Sequence, residues 1–320
     1  MRPERFVPGV AIYYATTIAD GFVFSSVVVE DSEGRTIKND NETLSAGRAG
    51  ANARVNASVL SLYDNKRVKR PMANGQNVSW EDFDKQVGDA LKGVTGEIVL
   101  LTQTFASPST SKLINEFSGK FGNVRHVVYD TVSEDAALTA FQAKYGTRGL
   151  PNYDFSKVGT VVSVGADFLG DWQGGGYDAA YAQTRIPENG KMSRHIQFES
   201  NMSLSGANAD KRIPVTPAQQ RAVLAALYGY IAGGSSSSDL PGKIDDAVVK
   251  AASQLRKAGS KGVVVSGLPD ADAQALVLEI NEALGSQVMD TANPKMTRQG
   301  NATAVAKLVE DMQSGSIGAI

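Results

Sequence analysis

The side chains this 320-residue chain offers for chemistry are two histidines, scattered carboxylates and hydroxyls, and no cysteine. Without a thiolate it cannot itself ligate an iron–sulfur cluster, form a disulfide or hold a thiolate-bound metal. His126 and His195 both sit in or at the start of strand-like runs. Neither has a second histidine at the i, i+4 spacing that sets two metal donors on one helical face, so both read as buried, hydrogen-bonded histidines. The segment Val161–Trp172 is the strongest local feature, because an apolar run passes directly into a loop with Gly165 and Gly170. Glycines there would let a nucleotide or pterin approach the backbone. The spacing is not G-x-G-x-x-G, however, and a structural turn is the reading it favours. Asp167, Asp171 and Asp178 are expected around the mouth of the same loop, as its solvated rim. Ser205–Asp210 reads as a tight loop rather than a nucleophile elbow, since no apolar strand leads straight into it.

The elements that must position these residues alternate between two periods. Ile98–Leu101, Val124–Tyr129, Val158–Val164 and Gly262–Val265 are short β-branched runs suited to strands buried on both faces of a parallel sheet. His195–Phe198 and Gln287–Met289 are weaker strand candidates. Helices are expected after Ser79, after Ser107-Pro108 and after Thr216-Pro217, each a capping residue ahead of an apolar stripe. The stripes are Trp80, Phe83, Val87 and Leu91; Leu113, Ile114, Phe117 and Phe121; and Val223, Leu224, Leu227 and Ile231. Strand–helix alternation of this kind predicts a doubly wound α/β fold, in which ligands sit beyond the carboxyl ends of the strands. The first 75 residues differ: Phe22–Glu30 and Arg35–Lys38 flank a turn and predict a small β-rich module. Three divisions are expected, namely residues 1–75, a first Rossmann-like domain at 76–234 and a second α/β domain at 235–320. The Gly/Ser tract 233–238 serves as the linker between the last two. Ser316–Ile320 reads as the start of a further buried strand, which predicts that the chain is a fragment of a longer one.

Composition narrows the function. With 42% hydrophobic and 21% charged residues the chain is ordinary globular protein, and its net charge of −2 offers no clustered basic face for nucleic acid. Lys66, Arg67, Lys69 and Arg70 form one short basic run ending at Pro71, read as a solvated loop. No apolar run reaches the roughly 18–20 residues that a membrane span needs.

Taken in order, several segments resemble the large subunit of molybdopterin oxidoreductases: the hairpin Glu33–Lys38, Ala57–Asp64 followed by Arg67, Arg70 and Pro71, and Val78–Phe83. A narrower set resembles the molybdopterin-like first half of the iron–sulfur subunit of bacterial alternative complex III. It comprises Pro8–Val10, Tyr13–Thr17, Gly165–Gly170, Ser193–Ser200 and Met202–Asp210. This resemblance implies part of a membrane-bound quinol:cytochrome c or electron-acceptor oxidoreductase of a respiratory chain. The chain would be a half without molybdenum or clusters, on the periplasmic face of the inner membrane. Its implied partners are the iron–sulfur domain of the same subunit, a multihaem cytochrome c and integral membrane subunits. Iron–sulfur clusters and haem would lie elsewhere in the complex. Gly165, Asp167, Phe168, Gly170 and Trp172 would then line a vestigial pocket. The cysteines that catalytic relatives carry in the opening module are replaced here by Thr, Ser and Ala between Tyr13 and Gly50. In the loop where such relatives supply a molybdenum ligand, Ser133 and Asp135 are the available donors. Ser133 reads as the N-cap of the helix reaching Phe141, with Glu134 and Asp135 in its first turn. The alternative is a catalytic large subunit that keeps a pterin-type cofactor, with Gly165–Trp172 at its nucleotide end and Ser133 on the metal. A third reading is an isolated nucleotide-binding module using the same loop.

Overall fold

The computed structural model describes residues 7, 9–20, 23–32, 34–41, 53–105, 107–233 and 239–320. The chain opens with an antiparallel meander, β1 (Ile12–Asp20), β2 (Val23–Ser32) and β3 (Arg35–Asn41). The expected hairpin is β2–β3, turned at Gly34 with φ +81°, where Asp31 Oδ1 accepts the Gly34 N–H at 2.8 Å. Helix α1 (Ala53–Ser58) closes a small core of Val27 and Val55. The basic run at residues 66–70 is an exposed loop, as expected, ahead of the two-residue strands β4 (Met72–Ala73) and β5 (Gln76–Asn77).

A small parallel sheet follows. Helix α2 (Trp80–Lys92) leads to β6 (Glu97–Thr102), and α3 (Pro108–Phe121) to β7 (Val124–Val128). The predicted caps hold: Ser79 Oγ accepts from Asp82 N at 3.0 Å and Ser107 Oγ from Thr110 N at 3.3 Å. The predicted inward stripes do not, because neither helix has a fully buried residue, and Trp80 and Leu113 are exposed. A sheet this narrow cannot cover their apolar faces.

The larger unit contains α4 (Asp135–Tyr145), β8 (Leu150–Tyr153), β9 (Thr160–Val164), α5 (Asp178–Gln183), β10 (Arg194–Glu199), α6 (Leu204–Ala207) and β11 (Lys211–Pro214). It continues through α7 (Pro217–Ala232), α8 (Gly242–Ala258), β12 (Gly262–Ser266), α9 (Ala271–Ala283) and β13 (Met289–Lys295). Strands β11, β10, β9 and β12 form, in that order, one parallel sheet. All five residues of β9 and of β12 are buried, which is why these runs are apolar apart from the small hydroxyl residues Thr160, Ser163 and Ser266. Val162, Val164 and Val264 face Val223, Leu224, Val248 and Leu255, while Val161, Val263 and Val265 face Phe155, Phe168 and Trp172. Helices on both faces make the fold doubly wound. Thr216 caps α7 with a full capping box through Gln219.

Helix α10 (Ala302–Gln313) and β14 (Ile317–Ala319) return to the small sheet, whose order is β14-β6-β7. The predicted last strand therefore pairs with β6, more than two hundred residues back. Buried Asp130 fastens this return, accepting from Thr104 N and Oγ1 and from Gly300 N at 2.6–3.0 Å. The division expected at 234/235 falls between strands of one sheet, since β9 and β12 are neighbours. Residues 234–238 of the expected linker lie outside the described residues; Gly233, with φ +82°, ends α7. At the outer edge of β12, the Asn281 side chain accepts Val264 N–H and donates to Val264 O, both at 2.8 Å. This buried amide occupies the place of a neighbouring strand. Among the described residues no helix is long and apolar enough to cross a membrane.

Candidate functional site

Strand β9 leads on to β10 and β11 on one side, and the chain later places β12 on the other. Such a reversal leaves a crevice at the carboxyl ends of β9 and β12, the place where open α/β sheets bind ligands. A cleft of about 260 Å³ lies there, walled by Gly165, Asp167, Asp171, Trp172, Gly267 and the start of α4. Gly165 takes φ +69°, and a Cβ on it would lie 2.7 Å from Gln220 Oε1. Gly267 passes so close that an added Cβ would overlap the Gly165 carbonyl. The turn is thus built from two glycines on different strands.

The predicted loop residues separate into wall and support. Asp167 and Trp172 line the cleft. Asp167 also organises the loop: its Oδ1 accepts the backbone N–H and the hydroxyl of Ser205, both at 2.8 Å, and a Cβ on Gly170 would overlap its Oδ2. Ser205 is thereby a structural donor; the tight loop expected at 205–210 begins as the one-turn helix α6. Phe168 is not in the cleft. It is fully buried and stacked on Phe155, with centroids 4.7 Å apart and planes 7° from parallel. Trp172 is 8% exposed, donates Nε1–H to Ser266 O at 3.2 Å, and packs on Tyr153 and Tyr177. Asp171 lines the mouth as expected, but Asp178 opens α5 outside the wall.

Glu134 is the wall residue that sequence reasoning placed only in a helix turn. The structure starts α4 at Asp135, with Glu134 in the cap position and facing the cleft, while Ser133 Oγ accepts from Asp135 N at 3.1 Å. Ser133 therefore supports the first turn without being the N-cap. Burial pushes the Glu134 carboxyl up; nearby Arg298 and the N–H of Gln173 oppose that, and Asp171 adds to it. Gln173 holds a left-handed backbone at φ 51°, ψ 28°, and its side chain accepts from Tyr177 Oη at 3.2 Å. Lys295 Nζ reaches the same Tyr177 hydroxyl at 2.7 Å, and burial pushes its ammonium down to about 8. Of the possible metal donors, Asp135 is ion-paired with Arg148 at 2.5 Å. Among the described residues no group of three or more His, Asp or Glu side chains is placed to hold a metal.

The histidines diverge. His195 is buried on β10, and burial pushes it down to about 4, against the smaller upward effects of Gln197 and Asp210. Its Nε2 donates to Gln197 Oε1 and its Nδ1 accepts from Tyr181, both at 3.1 Å, which assigns the neutral tautomer. The polar row continues through Gln197 to Glu199, which accepts from Ser203 and Arg212. His126 is exposed on the edge strand β7 and bonded to Thr102 at 2.8 Å, so the buried reading fails for it.

No family model matches the sequence, and no curated protein does. Among solved structures, acetylene hydratase from Pelobacter acetylenicus is similar with a TM-score of 0.60 at 11% identity, covering 83% of this chain and 43% of the hydratase. The fold is therefore similar to that of a molybdopterin-type enzyme, as the resemblance implied. The chain spans less than half of the hydratase's length, and at this identity the likeness is one of fold alone. A chain of the formyltransferase/hydrolase complex from Methylorubrum extorquens matches with a TM-score of 0.46 and 17% identity over 67% of this chain and 56% of that one, too weakly to carry an argument.

The cleft does not fit a pterin nucleotide. Such a cofactor brings phosphates, whereas the wall presents Glu134, Asp167 and Asp171 and no lysine or arginine. Its volume is also below the roughly 300–1,000 Å³ of ordinary ligand pockets.

Proposed function

We propose that this chain is a cofactor-free structural half of a subunit in a membrane-bound quinol:electron-acceptor oxidoreductase of the alternative complex III type. It docks the cluster-bearing half and neighbouring subunits, among them a multihaem cytochrome c and integral membrane proteins, on the periplasmic face. The observation that carries the reading is the acid-walled cleft at the switch point, where a molybdopterin enzyme's architecture meets a lining that repels phosphate. The sequence motifs at 165–170, 193–200 and 202–210 support the narrower assignment.

The competing reading, a catalytic large subunit with Ser133 on molybdenum, is disfavoured by the geometry of that loop. The Ser133 hydroxyl takes the Asp135 N–H, and Asp135 is committed to Arg148. Elemental analysis of the purified, folded chain separates the two. Molybdenum and tungsten at trace level, with co-elution of a co-expressed cluster-bearing half, is the expected result. Near-stoichiometric molybdenum or tungsten overturns the scaffold reading.

A further inference from the structure

The opening meander has a long bare margin. Strand β1 stands at the end of the order β1-β2-β3, and at nine residues it is the longest marginal strand among the described residues. From Ile12 to Ala19 it carries no charged residue and no proline. Proteins ordinarily blunt such a margin, because its outward N–H and C=O groups recruit another strand. Several other margins are interrupted in this way. Tyr63 Oη donates to Thr36 O of β3 at 2.7 Å, and Asn301 N to Val128 O of β7 at 3.1 Å. Strand β11 is only four residues long and carries Lys211, Arg212 and Pro214. Strand β1 has no such device.

The side chains of β1 narrow what meets it. Register with β2 sets Tyr14, Thr16 and Ile18 opposite Val29, Val27 and Ser25, on the core face of the meander. Val27 is buried, and Ile18 and Val29 pack against its cluster. Tyr14, beside Val29, is nevertheless more than half exposed, and Thr16 is exposed. The small core therefore runs to the margin and stops there uncovered. A second copy of the same strand continues it. Outward groups alternate along a strand, so two β1 strands meeting antiparallel about a two-fold axis pair residues whose numbers share parity. With the axis at Thr16, the midpoint of Ile12–Asp20, all nine positions overlap. Thr16 then faces the partner's Thr16, Tyr14 faces the partner's Ile18, and Ala15 faces the partner's Thr17. These are the threonine–threonine and aromatic–β-branched pairs that stabilise sheets, and no like charges are opposed. Both core faces stay on one side, so the apolar surface of each copy continues into the other. The outer margins of the merged sheet are the two β3 strands, each with Tyr63 upon it, so the assembly closes at two.

We infer that β1 is a self-association edge, through which two copies of this chain pair antiparallel about Thr16 into one continuous sheet. This pairing does not rest on the scaffold reading.

The test is sedimentation velocity of the full chain at concentrations up to roughly 100 µM, where a monomer–dimer equilibrium is expected. Thr16→Lys sets two ammonium groups face to face on the axis and is expected to raise the dissociation constant about tenfold or more. Ile37→Lys, on the exposed side of β3, is expected to leave it unchanged. Because the chain has no cysteine, Thr16→Cys supplies one thiol per copy, placed opposite its own counterpart. Oxidation with copper–phenanthroline is expected to give a covalent dimer of that variant, and far less of one for Ile37→Cys. A wild type that stays monomeric overturns the inference, as do oligomers larger than a dimer or a dimer that a folded Thr16→Lys variant does not weaken. Circular dichroism establishes folding. If Thr16→Lys does not fold, the two cysteine variants decide, and equal cross-linking at both positions overturns the inference. Metal content, which tests the scaffold reading, is independent of these outcomes.

Discussion

Gly267 on the β12 exit and Gly165 on the β9 exit approach so closely that a single methyl group on the first would overlap the carbonyl of the second. Both atoms in conflict belong to main chain held in the sheet, Gly165 N by Phe198 O at 2.8 Å and Gly267 N by Val164 O at 3.0 Å. Relief therefore requires moving a strand end. Gly267→Ala is expected to destabilise the protein by about 1–3 kcal/mol, the usual cost of overpacking. Gly88→Ala, in the interior of α2 with no atom within 4 Å of an added Cβ, should instead stabilise by up to about 1 kcal/mol. Urea unfolding of the two variants checks the contrast; equal effects would refute it.

Asn281 completes two backbone hydrogen bonds of Val264 inside the buried core. Asn281→Leu preserves volume and leaves an N–H and a carbonyl buried without partners. A loss of roughly 2–6 kcal/mol is expected, from about 1–3 kcal/mol for each stranded group. Hydrogen exchange should localise the effect, with the Val264 amide changing from strongly protected to exchanging.

His195 sets an acid limit on stability. Its folded pKa, about 4, lies below the ordinary value of 6.5, so between those limits the unfolded chain binds the extra proton. Stability from this group is complete above pH 6.5 and falls as pH drops toward 4, with no further loss below. The full change is about 3 kcal/mol. The wild-type-minus-His195→Gln stability difference should therefore shrink by about that amount as pH falls across the window, in urea titrations at successive pH values. A difference that does not vary with pH would refute the assignment.

The two tryptophans report on separate regions. Trp80 is 67% exposed and Trp172 is 8% exposed. In Trp80→Phe the remaining emission should be blue-shifted and resist iodide quenching, whereas Trp172→Phe should leave red-shifted, readily quenched emission. Strong iodide quenching in the first variant would show that the cleft loop is open rather than packed on Tyr153 and Tyr177.

Much of this architecture is legible in the residues. Strands β9 and β12 announce themselves because burial on both faces favours valine-rich runs. Strand β6, a similar run expected to be buried on both faces, leaves Leu101 exposed in its narrow sheet. Ser79, Ser107 and Thr216 mark their helices by capping. Strand β10 is more central than its pattern suggests, because His195, Gln197 and Glu199 satisfy one another along one face and break the apolar run. Half of the cleft is visible in the glycine loop at 165–170. Its other half, Gly267–Pro269, carries the same strand-then-glycine pattern, but that β12 adjoins β9 is decided by crossovers that no local window contains. The inward turn of Phe168 and the cleft-facing position of Glu134 depend on tertiary packing in the same way.

The Asn281 amide also gives the sheet a direction of growth. A strand offered to β12 would find the Val264 groups already taken, and among the described residues only β11, the other margin, has no further strand beside it in this four-stranded order. Enlargement of this sheet, by insertion or by lending a strand from another chain, is thus blocked at Val264 on the β12 side.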